Sequence, residues 1–239
     1  MGQLILITSG KGGSGKTTLA VNLAQVYAAE GLKTLVLDLN QALRNADIYM
    51  GLESEVIFDL GDVLGGVCRL EKAMAQDSRF ENLYLLCCPQ YKSIDGGSRK
   101  KLPDLYARLR AMFDVVVIDS PAGAGDLFEL AADGVDSAVI VLTPDHQSLR
   151  NGDTVDQKLA EIGVSDRHFV VNRVVPELWN SNAVPGLEQM INTMNCNLVG
   201  VLSEDIDIHI GNNTGVPAAS DRSSYIYSVF RNIAASVRG

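Results

Sequence analysis

Short runs of consecutive apolar residues alternate along this chain with longer segments in which apolar residues recur at helical spacing. Unbroken apolar runs are typical of strands that are buried on both faces of a sheet, and they predict strands at 4–7, 33–38, 83–88, 115–119, 137–142, 169–172 and 198–202. The helical spacing predicts helices at 18–30, 103–112, 148–162 and 225–237. It also predicts a short amphipathic segment at 58–64 and a small helix that ends at Ala132. Strands that alternate with helices indicate one α/β domain over residues 1–239, a doubly wound, mostly parallel sheet with helices on both faces.

The segment between the first predicted strand and the first predicted helix, residues 9–18, reads SGKGGSGKTT. Gly10, four further residues and then Gly15-Lys16-Thr17 form the pattern of a phosphate-binding loop, or P-loop. Its glycines let backbone N–H groups approach phosphate oxygens, and the N-terminus of the following helix adds partial positive charge. Lys16 can reach the β- and γ-phosphates, and the Thr17 hydroxyl can ligate Mg²⁺. The pattern predicts a P-loop NTPase, and the residues expected around the phosphates are Gly10, Lys11, Gly12, Gly13, Ser14, Gly15, Lys16, Thr17 and Thr18.

Two aspartates end predicted strands, Asp38 the second and Asp119 the fourth. Because ligands of such sheets bind at the carboxyl ends of the strands, both aspartates should lie beside the P-loop. Mg²⁺ prefers oxygen ligands, so the predicted metal residues are Thr17, Asp119 directly or through water, and Asp38 through water. For each aspartate, the alternative is a carboxylate that only caps the turn after its strand.

Charge and composition narrow the range of partners. The net charge is −9, and residues from 120 onward carry seven basic against fifteen acidic side chains. Nonspecific DNA binding needs a basic face, so no nucleic-acid partner is expected. The densest basic group is interpreted as the exposed face of a helix: Arg99, Lys100, Lys101, Arg108 and Arg110. The apolar runs fall short of the roughly 18 residues that span a membrane, and no signal peptide precedes the first strand, so we expect a cytoplasmic location. The cysteines lack metal-ligand spacing, and we expect them to be reduced thiols.

Three segments of the chain resemble motifs of the MinD/ParA family of dimerising ATPases. They are KGGSGKTT in the P-loop with its second lysine, Lys11, DSPAG at 119–123, and LRN followed by D and MG between 43 and 51. The resemblance implies ATP or ADP and Mg²⁺ as cofactors, and a homodimer in the ATP state in which Lys11 reaches the partner's nucleotide. It also implies slow ATP hydrolysis, with these catalytic residues: Lys11, Lys16, Asp38, Asn40 and Asp119.

Asn40 departs from the family pattern, which usually has an acidic residue here to orient and activate the attacking water, and a glycine at Ala42. An amide can hold a water molecule but cannot act as a base at neutral pH. The residue is therefore expected to impair hydrolysis without preventing binding. Either this protein is naturally slow or the residue was altered to trap the ATP state. A non-hydrolysing, ATP-dependent scaffold is the alternative from another functional class.

Polar residues at the ends of the last two predicted strands fall where members of this family contact adenine. They are Asn172 and Arg173 at the end of one strand, and Ser203, Glu204 and Asp205 after the other. An asparagine can read a base edge, and an arginine can stack on the ring. The family commonly has proline where Ser203 stands, and ordinary loop polarity is the alternative for all five residues.

The resemblance to the MinD branch implies a switch protein in the spatial regulation of cell division, namely septum placement, with regulators of the MinC and MinE type. DNA segregation of the ParA kind, or control of flagellar number, is the alternative within the family; a basic DNA-binding face would favour it. Members of the MinD branch add a basic amphipathic helix that attaches them to the inner face of the membrane. The last predicted helix has only two positively charged residues, Arg231 and Arg238, so we expect it to pack on the sheet. We expect no membrane binding by this chain, which ends before such a basic helix or lacks one.

Overall fold

The computed structural model describes residues 1–41, 44–90, 100–179, 181 and 183–238. Its strands are β1 (Gln3–Thr8), β2 (Thr34–Asp38), β3 (Ala75–Gln76), β4 (Leu83–Cys87), β5 (Val115–Asp119), β6 (Ser137–Leu142), β7 (Asp166–Val174) and β8 (Asn197–Ser203). Within the described ranges they form one sheet in the order β3-β4-β2-β5-β1-β6-β7-β8. Every neighbouring pair is parallel except β3 with β4, which is antiparallel at the edge.

Helices connect the strands and cover both faces of the sheet. Their bounds are α1 (Lys16–Ala29), α2 (Ala46–Met50), α3 (Leu60–Leu64), α4 (Leu70–Ala73), α5 (Leu102–Met112), α6 (Asp126–Ala132), α7 (His146–Ile162), α8 (Pro176–Trp179), α9 (Leu187–Thr193), α10 (Ile206–Thr214) and α11 (Tyr225–Arg238). Alternate residues of each central strand face opposite cores, so Leu4 and Leu6 pack with α5, α6 and α7, whereas Ile5 and Ile7 pack with α1, α2 and α11. The predicted doubly wound α/β fold is confirmed.

The last helix packs on the domain as the sequence predicted. Phe230, Ile233 and Val237 are buried on α11, against α1 and β8. The Tyr27 hydroxyl donates to the carbonyl oxygen of Ala234 at 3.1 Å, which fixes α11 to α1. Tyr225, at the start of the same helix, is 60% exposed. Over the described ranges, no helix is long and apolar enough to cross a membrane.

The interpretation of the basic residues around 100–110 as an exposed helix face is wrong for Arg110. Its guanidinium donates to Asp136 Oδ2 at 2.6 Å and to the carbonyl oxygens of Gly2 and Gly134, and the side chain is 16% exposed. Lys101 precedes α5 and donates to the carbonyl oxygen of Leu64. Arg99 lies outside the described residues. Arg110 thus serves contacts within the domain, whereas Lys100, Lys101 and Arg108 are exposed, as the sequence predicted.

The sheet brings the predicted site residues together at the carboxyl ends of its parallel strands. Asp38 and Asp119 are register partners at the ends of β2 and β5, and Ile7 of β1 is the next partner of Asp119. The P-loop follows the carboxyl end of β1, and β7 and β8 also end on this side of the sheet. The loops that carry the sequence motifs therefore meet at the carboxyl ends of the strands, as this class of sheet requires.

Candidate nucleotide-binding site

The P-loop between β1 and α1 curls around the end of the Lys16 side chain. Gly13 and Gly15 have φ angles of 74° and 99°, a left-handed region that residues with a Cβ rarely adopt. Lys16 Nζ donates to Ser9 Oγ at 3.0 Å, and Ser9 Oγ in turn donates to the carbonyl oxygen of Lys11 at 2.7 Å. The loop and the lysine thus have the arrangement that receives phosphate groups.

Two asparagines from other elements hold the P-loop at its glycines. Asn172 Nδ2, near the end of β7, donates to the carbonyl oxygen of Ser14 at 2.8 Å, and a Cβ on Gly15 would lie 2.1 Å from that nitrogen. Asn151 Nδ2, on α7, donates to the carbonyl oxygen of Gly10 at 3.2 Å. Close approach, as well as backbone conformation, therefore requires glycine in this loop. Asn151 was not predicted, because no local motif marks it.

Asp119 is fully buried beside the first turn of α1. Its Oδ2 accepts a hydrogen bond from Thr17 Oγ1 at 2.6 Å. Burial raises the pKa of the Asp119 carboxyl to about 6, against the opposing effects of the Thr17 hydrogen bond and the Lys16 charge. Burial lowers the pKa of Lys16, and the Asp119 carboxylate opposes that shift. The pair is thus a desolvated cation and carboxylate at the mouth of the P-loop.

Asp38 lies next to Asp119 and organises the start of the following loop. Its Oδ1 accepts from the backbone N–H of Asn40 at 2.8 Å, and its Oδ2 accepts from that of Ala46 at 3.3 Å. Burial, then the nearby Asp119 charge, raises the pKa of the Asp38 carboxyl well above its usual value, although the two backbone donors oppose this. Asp38 therefore acts as a cap for this loop, and it places a second carboxyl group beside Asp119.

The chemistry of this group fits Mg²⁺. Asp119 Oδ1 is buried and has no hydrogen-bond partner among the described residues, so one carboxylate oxygen is left for a ligand. Two buried carboxylates whose pKa values are raised gain stability when a cation neutralises them. No group of three or more His, Cys, Asp and Glu that could hold a metal occurs in the described parts of the chain. Mg²⁺ does not need one, because it commonly takes one or two carboxylates together with phosphate oxygens and water.

A cavity of about 480 Å³ opens in front of the P-loop. Among the predicted residues, its lining includes Gly12, Gly13, Gly15, Lys16, Thr17, Thr18, Asn40 and Arg173. Residues that the sequence did not indicate also line it: Ile48 and Tyr49 from α2, and His209, Asn212 and Asn213 from α10. Asn212 Nδ2 donates to Thr18 Oγ1 at 3.0 Å, which links α10 to the phosphate side of the cavity.

A second, narrow cleft of about 30 Å³ collects the residues predicted to contact the base. Asn172, Arg173, Ser203, Glu204 and Asp205 all line it. Arg173 has a φ of 58° next to an irregular stretch of the β7–β8 pairing, a backbone strain that is common at ligand sites. The structure thus brings the five residues together.

Several of these base-side residues also hold the surrounding fold. The Asp205 side chain accepts from the backbone N–H of Asp207 at 2.8 Å and caps α10, and Glu204 Oε1 lies 2.6 Å from His209 Nε2. Asn172 is engaged with the P-loop backbone. Their contact with a base stays a prediction.

Lys11 forms an ion pair within its own chain. Its Nζ lies 3.1 Å from Asp145 Oδ2, and both side chains are more than one-third exposed. Asp145 caps α7 and accepts from Thr143 Oγ1 at 2.6 Å. Although burial raises the pKa of the Asp145 carboxyl, the hydrogen bonds from Thr143, Ser148 and Lys11 hold it below its usual value. A role for Lys11 in a dimer requires this exposed pair to separate, which costs little.

The buried Asp119 makes metal-free stability depend on pH. A carboxyl whose folded pKa is raised to about 6 contributes stability that is complete below its unfolded pKa and is lost as the pH rises through about 6. In EDTA, the unfolding free energy of the wild type minus that of Asp119→Asn should therefore fall between about pH 4 and pH 7, by on the order of 2–3 kcal/mol. Urea unfolding measures this difference. A difference that stays constant with pH would show that Asp119 is not desolvated.

Comparisons with known proteins agree with the fold. Residues 5–218 match the family described as the CobQ/CobB/MinD/ParA nucleotide binding domain. The septum site-determining protein MinD of Bacillus subtilis is 33% identical over 241 residues, which cover 100% of this chain and 90% of that protein.

Solved structures show the same likeness. The MinC:MinD cell division protein complex of Aquifex aeolicus has a TM-score of 0.88 at 31% identity, covering 99% of this chain and 96% of that chain. MinD of Pyrococcus horikoshii, complexed with Mg-ADP, has a TM-score of 0.86 at 30% identity, with coverages of 99% and 96%. With the P-loop, the paired strand-end aspartates and the surrounding cavity in place, the chain belongs to the MinD/ParA family of nucleotide-binding ATPases.

Proposed function

We propose that this protein is a switch that binds Mg-ATP, dimerises in that state and hydrolyses the nucleotide slowly. The observation that carries the proposal is the buried Asp119 Oδ1, which no described residue satisfies, beside the Thr17 hydroxyl and the Lys16 ammonium at the P-loop. This group supplies oxygen ligands for a cation and one positive charge for phosphate. Mg-ADP in the related Pyrococcus horikoshii protein supports the choice of ligand.

Each residue has a specific role in this proposal. The P-loop backbone and Lys16 would hold the β- and γ-phosphates, while Thr17 and Asp119 would hold Mg²⁺, and Asp38 would act through water. When bound, Mg²⁺ neutralises charge on the phosphates. Asn40 lies on the cavity wall, and Asp38 fixes its backbone. Its amide can position a water molecule but cannot take the water's proton.

Dimerisation that depends on ATP is the property that tests the proposed switch. Lys11 is not needed to hold phosphate within its own chain, because Lys16 occupies that position and Lys11 lies on Asp145. In the proposed dimer, Lys11 leaves Asp145 for the partner's nucleotide. Light scattering should show a dimer with ATP and Mg²⁺, and mostly monomer with ADP.

Replacement of Lys11 by Ala should abolish the dimer and keep part of the nucleotide affinity. The matched control is Lys158→Ala, which removes another exposed lysine that is paired with a carboxylate, Glu161 at 3.0 Å. The control should dimerise like the wild type, and light scattering with Mg-ATP measures both variants. A Lys11→Ala protein that dimerises as the wild type does would refute the contact across the dimer.

A non-hydrolysing ATP-dependent scaffold is the second candidate, and Asn40 is the observation that favours it. In this version the cavity binds Mg-ATP and the dimer forms, but no group in the cavity activates water. Both candidates need Lys16, Thr17 and Asp119 and predict the same binding. They differ in whether bound ATP is converted to ADP.

We further propose that the switch acts in the placement of the cell-division septum. The related proteins are septum site-determining MinD proteins, and one solved relative is in complex with MinC. A regulator of the MinC type is therefore the proposed partner, and one of the MinE type is a second. The absence of a nucleic-acid partner stays a prediction from the acidic second half of the chain.

This chain should not bind membranes stably, with or without ATP. The apolar stripe of α11 is buried in the domain, and Arg231 and Arg238 give it little positive charge for anionic lipid. Co-sedimentation with vesicles that contain anionic lipid should leave the protein in the supernatant. Pelleting that depends on ATP would contradict this expectation.

A further inference from the structure

An ion pair in the turn between β3 and β4 connects two helices that line the cavity. Arg79 Nε and Nη2 donate to the two carboxylate oxygens of Asp77, at 2.8 Å and 2.6 Å, and Asp77 is 1% exposed. The same guanidinium donates from Nη1 to the carbonyl oxygen of Gly215 at 2.8 Å, and from Nη2 to that of Met50 at 2.6 Å. These carbonyls lie at the C-terminal ends of α10 and α2.

The two helix ends meet at this arginine. Gly51 and Gly215, which end α2 and α10, have φ angles of 65° and 70°. A Cβ on Gly215 would lie 2.5 Å from the Cα of Gly51, so the two turns are in direct backbone contact. The Arg79 side chain therefore holds together two carbonyl ends that would otherwise repel each other.

Both helices are short and depend on such contacts for their position. α2 has five residues, and Gly211 is the one residue of α10 that is buried. Nevertheless, α2 contributes Ile48 and Tyr49 to the cavity, and α10 contributes His209, Asn212 and Asn213. Asn212 also holds the Thr18 hydroxyl. A shift of either helix end would move one wall of the cavity.

We propose that Arg79 is a positioning residue for the nucleotide: by tying α2 to α10, it sets the separation of the cavity walls and so the nucleotide affinity. The inference rests on the proposed nucleotide binding. Lysine cannot replace Arg79, because a single ammonium cannot bind a carboxylate with two donors and reach two carbonyls in different directions.

Arg110 provides a matched control for the loss of such an arginine. It also binds one carboxylate and two carbonyls, those of Asp136, Gly2 and Gly134, at distances of 2.6 to 2.9 Å. Its partners precede β1 and β6, so they lie at the amino ends of the strands, opposite the P-loop. Arg110→Lys should therefore cost stability of a similar kind without touching the cavity.

The experiment compares the wild type, Arg79→Lys and Arg110→Lys. Urea unfolding gives the stability of each protein, and titration with a fluorescent N-methylanthraniloyl ADP in Mg²⁺ gives affinity at a temperature where all are folded. ADP is used so that dimerisation does not contribute. Arg79→Lys should bind roughly five- to tenfold more weakly than the wild type, and Arg110→Lys within about twofold of it. Equal affinity of Arg79→Lys and wild type, or equal losses in the two variants, would overturn the proposal.

Two further measurements separate the possible failures. If the wild type itself does not bind the probe, the proposed function fails and the positioning role fails with it. If Arg79→Lys does not fold, Asp77→Asn replaces it, since this change loosens the guanidinium and should weaken binding in the same direction; unchanged affinity would overturn the proposal. A double-mutant cycle of the weakened variant with Asn212→Ala should show losses that are not additive, because both changes act through α10.

Discussion

Replacement of Lys16 by Met should weaken binding of Mg-ATP by at least roughly 100-fold. The lysine is 6% exposed, and its ammonium lies within the curl of the P-loop. Methionine preserves most of the volume and removes the charge. A hydrogen bond to a charged group contributes about 1.5–3 kcal/mol, and the lysine is proposed to contact two phosphates, so the losses combine to this factor. Isothermal titration calorimetry in Mg²⁺ measures the affinity.

Lys33→Met is the control for this change. Lys33 precedes β2, at the amino ends of the strands and far from the P-loop. Its ammonium lies 5.6 Å from the ring centroid of Tyr84 and 5.1 Å from that of Phe113. Its replacement should leave the affinity for Mg-ATP unchanged. Similar losses in both variants would mean that total charge, rather than the P-loop lysine, decides binding.

Replacement of Asn40 by Asp should raise ATP turnover at least roughly tenfold and shorten the lifetime of the dimer. A carboxylate here can accept a hydrogen bond from the attacking water and stabilise the charge that develops on it. Positioned acid–base groups typically contribute about 10²–10⁴ in rate. Phosphoryl transfer depends more on positioning and electrostatics, so tenfold is the expected floor. Phosphate release at saturating ATP is the measurement.

Asn45→Asp is the matched control, because Asn45 also lines the cavity and begins α2. It adds the same charge at a different place, and the Asn45 side chain makes no capping hydrogen bond to α2 that the change would remove. Turnover should rise for Asn40→Asp and not for Asn45→Asp. Equal turnover in Asn40→Asp and the wild type would show that residue 40 does not limit hydrolysis.

The parts of the fold that repeat simple patterns could be predicted from the sequence. Each central strand, such as β5, is buried on both faces, so its residues form an unbroken apolar run. The P-loop could be predicted because its glycines are required locally, by the positive φ angles of Gly13 and Gly15. Asp38 and Asp119 could be placed together because parallel strands end at one edge.

The contacts that complete the site could not be predicted, because they join residues that are far apart in the chain. The sequence of α10, IDIHIGNNT, exposes Ile206 and Ile210 and buries little, so its pattern did not indicate a helix. Pairing of Lys11 with Asp145, and of Arg79 with the ends of α2 and α10, depends on tertiary structure alone. Leu43, part of the family-like LRN segment, lies outside the described residues.

Single-turnover hydrolysis tests most directly whether this site is that of an ATPase. Protein in excess is mixed with radiolabelled ATP and Mg²⁺, and the conversion of bound ATP to ADP is followed over time, with Lys16→Met as the background. The wild type should convert its bound ATP slowly and completely, and the variant should show no conversion above background. Bound ATP that is recovered intact from the wild type would rule out hydrolysis at this site and leave the scaffold.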